Sequence, residues 1–284
     1  MNINKLIIGT ANFGKPYGFL GSKLSLNVFK KICKEFKKNN YTLTLDTAIS
    51  YKNAHKIISK ASNVKLKLIT KLPMIKKKVS LFDVKKMLNE DLHKFNQKKF
   101  YAVLIHNTKI LKTKNGKNLY KFLLQLKKEK LITKVGFSIY DGVELKNFYK
   151  KYKPEIIQLP INLFNQKFLE NGWLKKIKKD QVEVHVRSIF LQGVILSSKN
   201  RVLKNYQFKN HFLFFENWLK KNKINAFDAS LDFISQIKYL DKVVIGVNNF
   251  KQFKRILNFK TKKRNFNYEI LKSNNQKLIN PTKW

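Results

Sequence analysis

Short apolar runs alternate along this chain with longer stretches whose apolar residues recur at helical spacing. Residues 6–10 form the first short run, and in 26–38 the side chains of Val28, Phe29, Ile32, Cys33 and Phe36 fall on one face of a helix with 3.6 residues per turn. The unit then repeats. Strands are predicted at 42–46, 66–72, 100–106, 134–138, 156–159, 182–187 and 242–246. Helices are predicted near 54–61, 80–94, 118–129, 142–151, 168–179, 227–238 and 250–259. Eight β-type runs, each followed by an α-type run, imply a parallel sheet covered by helices, because parallel neighbours need a crossover long enough to hold one.

A closed (β/α)₈ TIM barrel and an open doubly wound sheet both satisfy that alternation. Count and length favour the barrel: it takes about 250 residues, and this chain has 284, with no Pro/Gly/Ser linker to divide it. A single domain over 1–284 is expected, with 43% hydrophobic residues to fill its core. The open sheet usually announces a dinucleotide site with G-x-G-x-x-G after its first strand, which this chain lacks. Gly9-Thr10-Ala11-Asn12-Phe13-Gly14-Lys15 does fit G-x-x-x-x-G-K, but Pro16 follows where a magnesium-binding hydroxyl is needed, so a nucleotide hydrolase is disfavoured. Glycines after the first strand instead let the backbone come close to a ligand.

Charge changes the picture less than its size suggests. Sixty Lys and Arg against 17 Asp and Glu give a net charge of +43, which would suit a nucleic acid or an anionic surface. Only Arg187, Arg201, Arg255 and Arg264 are arginines, however, and the lysines are spread along the whole chain among Asn, Ile and Phe. Phosphate and base-edge readers favour arginine forks gathered on one element. The excess is read as coding bias at surface positions, with no specific nucleic-acid partner and a positive field left to draw in an anionic substrate. No apolar run reaches eighteen residues and no cleavable signal pattern opens the chain, so no membrane span and a cytoplasmic location are expected. Cys33, the one cysteine, is expected to be a buried structural thiol. No metal is expected.

In a (β/α)₈ barrel the active site lies at the C-terminal ends of the strands, so polar residues that close apolar runs are the ones to collect. Asp46 closes the second run, Lys71 ends the third and His106 the fourth. Ser138 ends the fifth, Gln158 the sixth, and Tyr51 follows Asp46 by five residues. Singly, each has a structural explanation: a cap, a solvated lysine, a hydrogen-bonded histidine. Their placement at successive strand ends favours a shared site.

With these motifs the chain resembles the aldo-keto reductase family. The resemblance rests on Leu6-Ile7-Ile8-Gly9-Thr10-Ala11-Asn12-Phe13-Gly14, on Asp46-Thr47-Ala48 with Tyr51, on Ile69-Thr70-Lys71 and on Leu104-Ile105-His106. It continues in Gly136-Phe137-Ser138, in Gln158 with Asn162, and in Val243-Val244-Ile245-Gly246. It implies hydride transfer between a carbonyl substrate and NADP(H), with NAD(H) as the alternative, the cofactor lying extended across the barrel mouth. A carbonyl that accepts hydride needs a proton donor. The resemblance gives that role to Tyr51, with the Lys71 ammonium expected to favour the ionised phenol, Asp46 to hold Lys71 in place and His106 to orient the carbonyl. It also implies that Ser138 and Gln158, with Asn162 as a further candidate, hold the nicotinamide carboxamide, and that Gly9, Thr10 and Gly246 lie against the cofactor.

The chain departs from the family pattern at three places. Ser138-Ile139 stands for the usual Ser-Asn pair. Arg187-Ser188 begins Arg-Ser-x-Phe-Leu-Gln-Gly where many members carry an aromatic ring against the nicotinamide, and this run is similar to a subgroup linked to bacterial surface-sugar pathways. A guanidinium there could cover a ring or bind an anion. After Gly246, Gln252 and Ile256 take the positions of the Arg and Asn that grip the adenosine end, leaving Lys254 and Arg255 as the candidates for the 2′-phosphate. A sugar carbonyl or hemiacetal is the favoured substrate. A cofactor-binding regulatory protein with little turnover and a basic nucleic-acid-binding protein are the alternatives.

Overall fold

The alternating pattern closes on itself. In the computed structural model, which describes residues 2–19, 21–60, 64–72, 80–197, 208–261 and 264–283, eight parallel strands form a closed barrel in sequence order. They are β1 (Leu6–Gly9), β2 (Leu43–Asp46), β3 (Leu66–Leu72), β4 (Phe100–Ile105), β5 (Ile132–Ser138), β6 (Ile156–Pro160), β7 (Glu183–Arg187) and β8 (Lys242–Gly246). β8 returns to β1 with Gly246 opposite Gly9, so no edge is left unpaired.

Helices cover the outside: α1 (Leu26–Lys38), α2 (Lys52–Lys60), α3 (Leu81–Lys94), α4 (Lys114–Lys128), α5 (Gly142–Tyr152), α6 (Lys167–Glu170), α7 (Trp173–Lys179), α8 (Lys209–Lys221), α9 (Ala226–Ser235), α10 (Phe250–Leu257) and α11 (Gln276–Ile279). Ser25 caps α1, Ser80 and Asp83 form a reciprocal capping box on α3, and Asn249 caps α10, each satisfying amides the helix leaves free. Cys33 packs in the buried face of α1, where burial pushes its thiol up to about 12. The expected helix over 168–179 is broken at Asn171–Gly172 into α6 and α7. Residue 61, placed at the end of another expected helix, lies outside the described residues. The sequence pattern also passed over α8, which buries Phe212, Phe215 and Trp218 along one face. No described helix is long and apolar enough to cross a membrane.

Two apolar clusters divide the molecule. The larger packs the outward faces of the strands against the helices. The smaller, made of Ile7, Ile69, Ala102, Leu104, Ile156 and Val244, fills the barrel interior. The N-terminal mouth is sealed by charge. Glu183 accepts hydrogen bonds from Tyr101 (2.6 Å), Lys134 (2.6 Å) and His185 (3.0 Å). Burial works to raise its carboxyl, but these three partners outweigh it and hold the group well below the usual carboxylate range.

Candidate active site

Side chains alternate between the two faces of a strand, so the residue two places beyond an inward-facing one also faces inward. Two places beyond Ile7, Ile69, Leu104, Ile156 and Val244 stand Gly9, Lys71, His106, Gln158 and Gly246. The barrel interior thus turns from apolar to polar within one pleat, at its C-terminal mouth. Asp46, Ser138 and Arg187 join these residues from the ends of β2, β5 and β7, and Tyr51 from the turn before α2. Together they line a cleft of about 210 Å³.

At its base lies a buried polar network. Lys71 Nζ donates to Asp46 Oδ2 at 2.5 Å and to the Thr47 carbonyl at 3.4 Å. Gln158 Nε2 donates to Asp46 Oδ1 at 2.9 Å, and Ser138 Oγ donates to Gln158 Oε1 at 3.4 Å. Burial lowers the Lys71 ammonium below lysine's usual range against the pull of Asp46, and Arg187 adds to the depression. His106 is held down to about 4, first by burial and then by the charges of Lys71 and Arg187, so its ring is neutral near pH 7.

Tyr51 behaves otherwise than the sequence led us to expect. Burial pushes its phenol above the usual range, Tyr17 and Asp46 push it the same way, and the cation that opposes them is Arg187, not Lys71. Like an ordinary phenol, Tyr51 carries its proton near pH 7, and burial makes that proton harder to lose. Arg187 is braced on three sides: its NH2 donates to the Ile139 carbonyl at 3.0 Å, its NH1 to Ser188 Oγ at 3.3 Å, and its plane covers the Tyr140 ring at 4.4 Å. Ser188, Leu191 and Gln192 all take left-handed backbone, a concentration of strain rarely kept without a reason. Asn162 helps hold it, donating from Nδ2 to the Ser188 carbonyl at 3.1 Å while its Oδ1 accepts from the amides of Phe164 and Asn165. It is thus a loop brace and does not line the cleft.

The loop after β1 crosses the mouth and is tied to the loop after β7, with the Phe19 amide donating to the Gln192 carbonyl at 2.9 Å. This strap brings Tyr17 to the cleft. Sequence reasoning passed over Tyr17, Tyr140, Asn12 and Gln192. Tyr140 stood within its reach, two residues beyond Ser138, whereas Tyr17 depends on a contact with a loop more than 170 residues away.

Of the expected cofactor contacts, Gly9, Thr10, Ser138, Gln158, Arg187, Ser188 and Gly246 line the cleft. Lys254 and Arg255 do not. Lys254 pairs with Glu35 at 2.8 Å, and Arg255 pairs with Asp228 at 2.9 Å while covering the Phe227 ring. Gln252 does reach the cleft, but Ile256 is buried in the core. The residues present fit a nicotinamide cofactor. Ser138 and Gln158 offer a hydroxyl and an amide to a carboxamide, and the buried Asn12 keeps Oδ1 without a partner among the described residues. A Cβ on Gly246 would meet nothing within 4 Å, so open space lies beside the strand there.

A model described as the aldo/keto reductase family matches residues 5–269. Among solved structures the chain is similar to two provisionally named aldo-keto reductases from Pseudomonas aeruginosa. One is 14% identical, with 90% of this chain covering 88% of that one at a TM-score of 0.64. The other is 14% identical, with 89% covering 87% at a TM-score of 0.62. At that identity the likeness carries the fold alone. No curated protein matches the chain.

Proposed function

The chain belongs to the aldo/keto reductase family of oxidoreductases, and from that premise we propose that it interconverts a carbonyl and an alcohol with Tyr51 as the proton donor and a sugar or sugar derivative as substrate. The family typically uses NADP(H), which when bound supplies or accepts the hydride. Ser138 and Gln158 orient the carboxamide end, and the backbone at Gly9, Thr10 and Gly246 gives the ring room to approach.

The observation that carries this assignment is that Tyr51 and His106 line one cleft together with a buried Asp46–Lys71 pair. His106 orients the carbonyl by donating from a neutral ring nitrogen. Tyr51 gives its proton as negative charge develops on the carbonyl oxygen, an arrangement that contributes roughly 10²–10⁴-fold in rate. Lys71 and Asp46 hold each other at the base of the cleft, and the Arg187 charge favours the phenolate left after transfer. The hydroxyl-rich lining suits a polyol substrate.

The test is Tyr51→Phe. It should bind NADPH with a Kd near that of wild type, measured by calorimetry, and lose at least a hundredfold in kcat on the best substrate from an aldehyde and sugar screen. Unchanged kcat would remove Tyr51 from the mechanism, and wild-type protein that binds neither NADPH nor NADH would sink the assignment.

A further inference from the structure

Among the described residues the cleft carries a charge that nothing in it balances. Its charged lining consists of Asp46, Lys71 and Arg187, since His106 is neutral. Asp46 and Lys71 neutralise each other at 2.5 Å. Among the described residues no carboxylate lies within ion-pair distance of Arg187, whose two hydrogen bonds go to neutral oxygens, a backbone carbonyl and a hydroxyl. A guanidinium has five N–H donors, so three remain. A half-buried charge without a counter-ion is costly to keep, and the cost is recovered when a ligand supplies one.

The neighbours of Arg187 are built for the same ligand. Tyr140 backs one face of its plane, the strained Ser188 meets its edge, and the Tyr17 and Tyr51 phenols lie close enough to feel its charge. Both phenols line the cleft, and a phenol keeps its proton near pH 7, so both can donate. Hydroxyls lining the cleft beside a braced guanidinium make a donor set matched to a planar or tetrahedral oxyanion. Tyr51 lines the same cleft, so the oxyanion and the reacting carbonyl would share it.

We propose that Arg187, with the hydroxyl of Tyr17, binds an anionic oxygen group, carboxylate or phosphate, carried by the carbonyl substrate itself. The chain would then be selective for acidic aldehydes or ketones over neutral ones. This rests on the assignment of the cleft as a carbonyl-reducing site, but it makes a separate claim about binding.

Binding is therefore what the experiment reads. Calorimetry on the full chain, with and without NADPH, compares 4-carboxybenzaldehyde with the nearly isosteric 4-carbamoylbenzaldehyde, and glyceraldehyde 3-phosphate with glyceraldehyde. Wild type should bind the anionic member at least about tenfold more tightly in one pair, the order expected of a charge-assisted hydrogen bond. The pair that discriminates tells carboxylate from phosphate. Arg187→Met should bring the ratio close to one, while Arg187→Lys, which keeps the charge and loses the fork, should retain part of it. Equal binding of both members by wild type overturns the proposal. So does a ratio that survives Arg187→Met while NADPH binding weakens, since Arg187 would then serve the cofactor. If the ratio behaves as expected but no probe is ever reduced, the anion site stands and the reductase assignment falls.

Discussion

Gln158 donates its side-chain amide to Asp46 Oδ1 at 2.9 Å, joining β6 to β2 across the barrel mouth. With Lys71 on the other oxygen, both oxygens of this buried carboxylate have a donor. The same amide is the one assigned above to the nicotinamide carboxamide, so one residue links the ion pair to the cofactor. Gln158→Met should strip a donor from a buried carboxylate, costing about 1–3 kcal/mol, and should also weaken NADPH binding. Denaturant melts and cofactor titrations on one preparation test both. Cofactor affinity equal to wild type would confine Gln158 to holding Asp46.

Breaking the Asp46–Lys71 pair from either side should cost more than replacing it whole. Lys71→Met leaves a carboxylate buried beside an apolar chain and Asp46→Leu leaves an ammonium. Each should destabilise the fold by roughly 3–5 kcal/mol. The double variant removes both charges and should recover much of that loss, though not activity. Midpoints of unfolding for the four proteins give the coupling, and additive losses would mean that the 2.5 Å contact does not hold in solution.

This layout of polar ends on apolar strands is why so much of the site could be read before the structure. Asp46, Lys71, His106, Ser138 and Gln158 each close an apolar run, and a strand has only two faces, so the period of two that fills the barrel also aims them into one cleft. What escaped was whatever depends on contacts distant in sequence. Lys254 and Arg255 carry charge at a plausible place in the chain, but the faces of α10 they occupy meet Glu35 and Asp228. The upward push that burial gives the Tyr51 phenol likewise depends on the fold, which no residue list records. The helix α8 was missed because its buried Phe212, Phe215 and Trp218 are interleaved with the partly exposed Leu213 and Leu219 and the exposed Phe214, which blurs its periodicity.

His106 gives a pH signature whose sign is fixed. Its folded pKa of about 4 lies below the unperturbed 6.5, so between those values the unfolded chain binds more protons than the native one. The stabilisation is fully present above pH 6.5 and is lost as pH falls towards 4. His106→Gln cannot titrate, so wild type should lose about 2 kcal/mol more than the variant between pH 7 and 4.5. Parallel stability profiles would show that the ring is more open to water than its position indicates. Any ionisation in the activity profile between pH 5 and 8 should likewise survive this substitution.

The strap over the cleft can be loosened at one atom. Gly18 has φ +75°, and a Cβ built on it would stand 2.7 Å from the Gln192 carbonyl oxygen, the same oxygen that accepts the Phe19 amide. Alanine at 18 must therefore bear left-handed backbone, at about 1 kcal/mol, and also push against a main-chain atom that cannot rotate away. Gln192 is itself left-handed and has little freedom to yield. The strap should lift instead, carrying Tyr17 out of the cleft while the barrel beneath keeps its packing. Gly18→Ala should thus lower Tm by a few degrees, as expected for about 1–2 kcal/mol in a chain of this size. It should also make the segment 14–24 much easier to cleave in limited proteolysis. Ligands of the cleft should bind more weakly, and the anionic probe should lose more than its neutral partner because Tyr17 is one of its donors. A variant that resists protease like wild type would show that the Phe19–Gln192 bond does not hold the strap. A variant that is cleaved faster yet binds both probes as before would detach Tyr17 from the site.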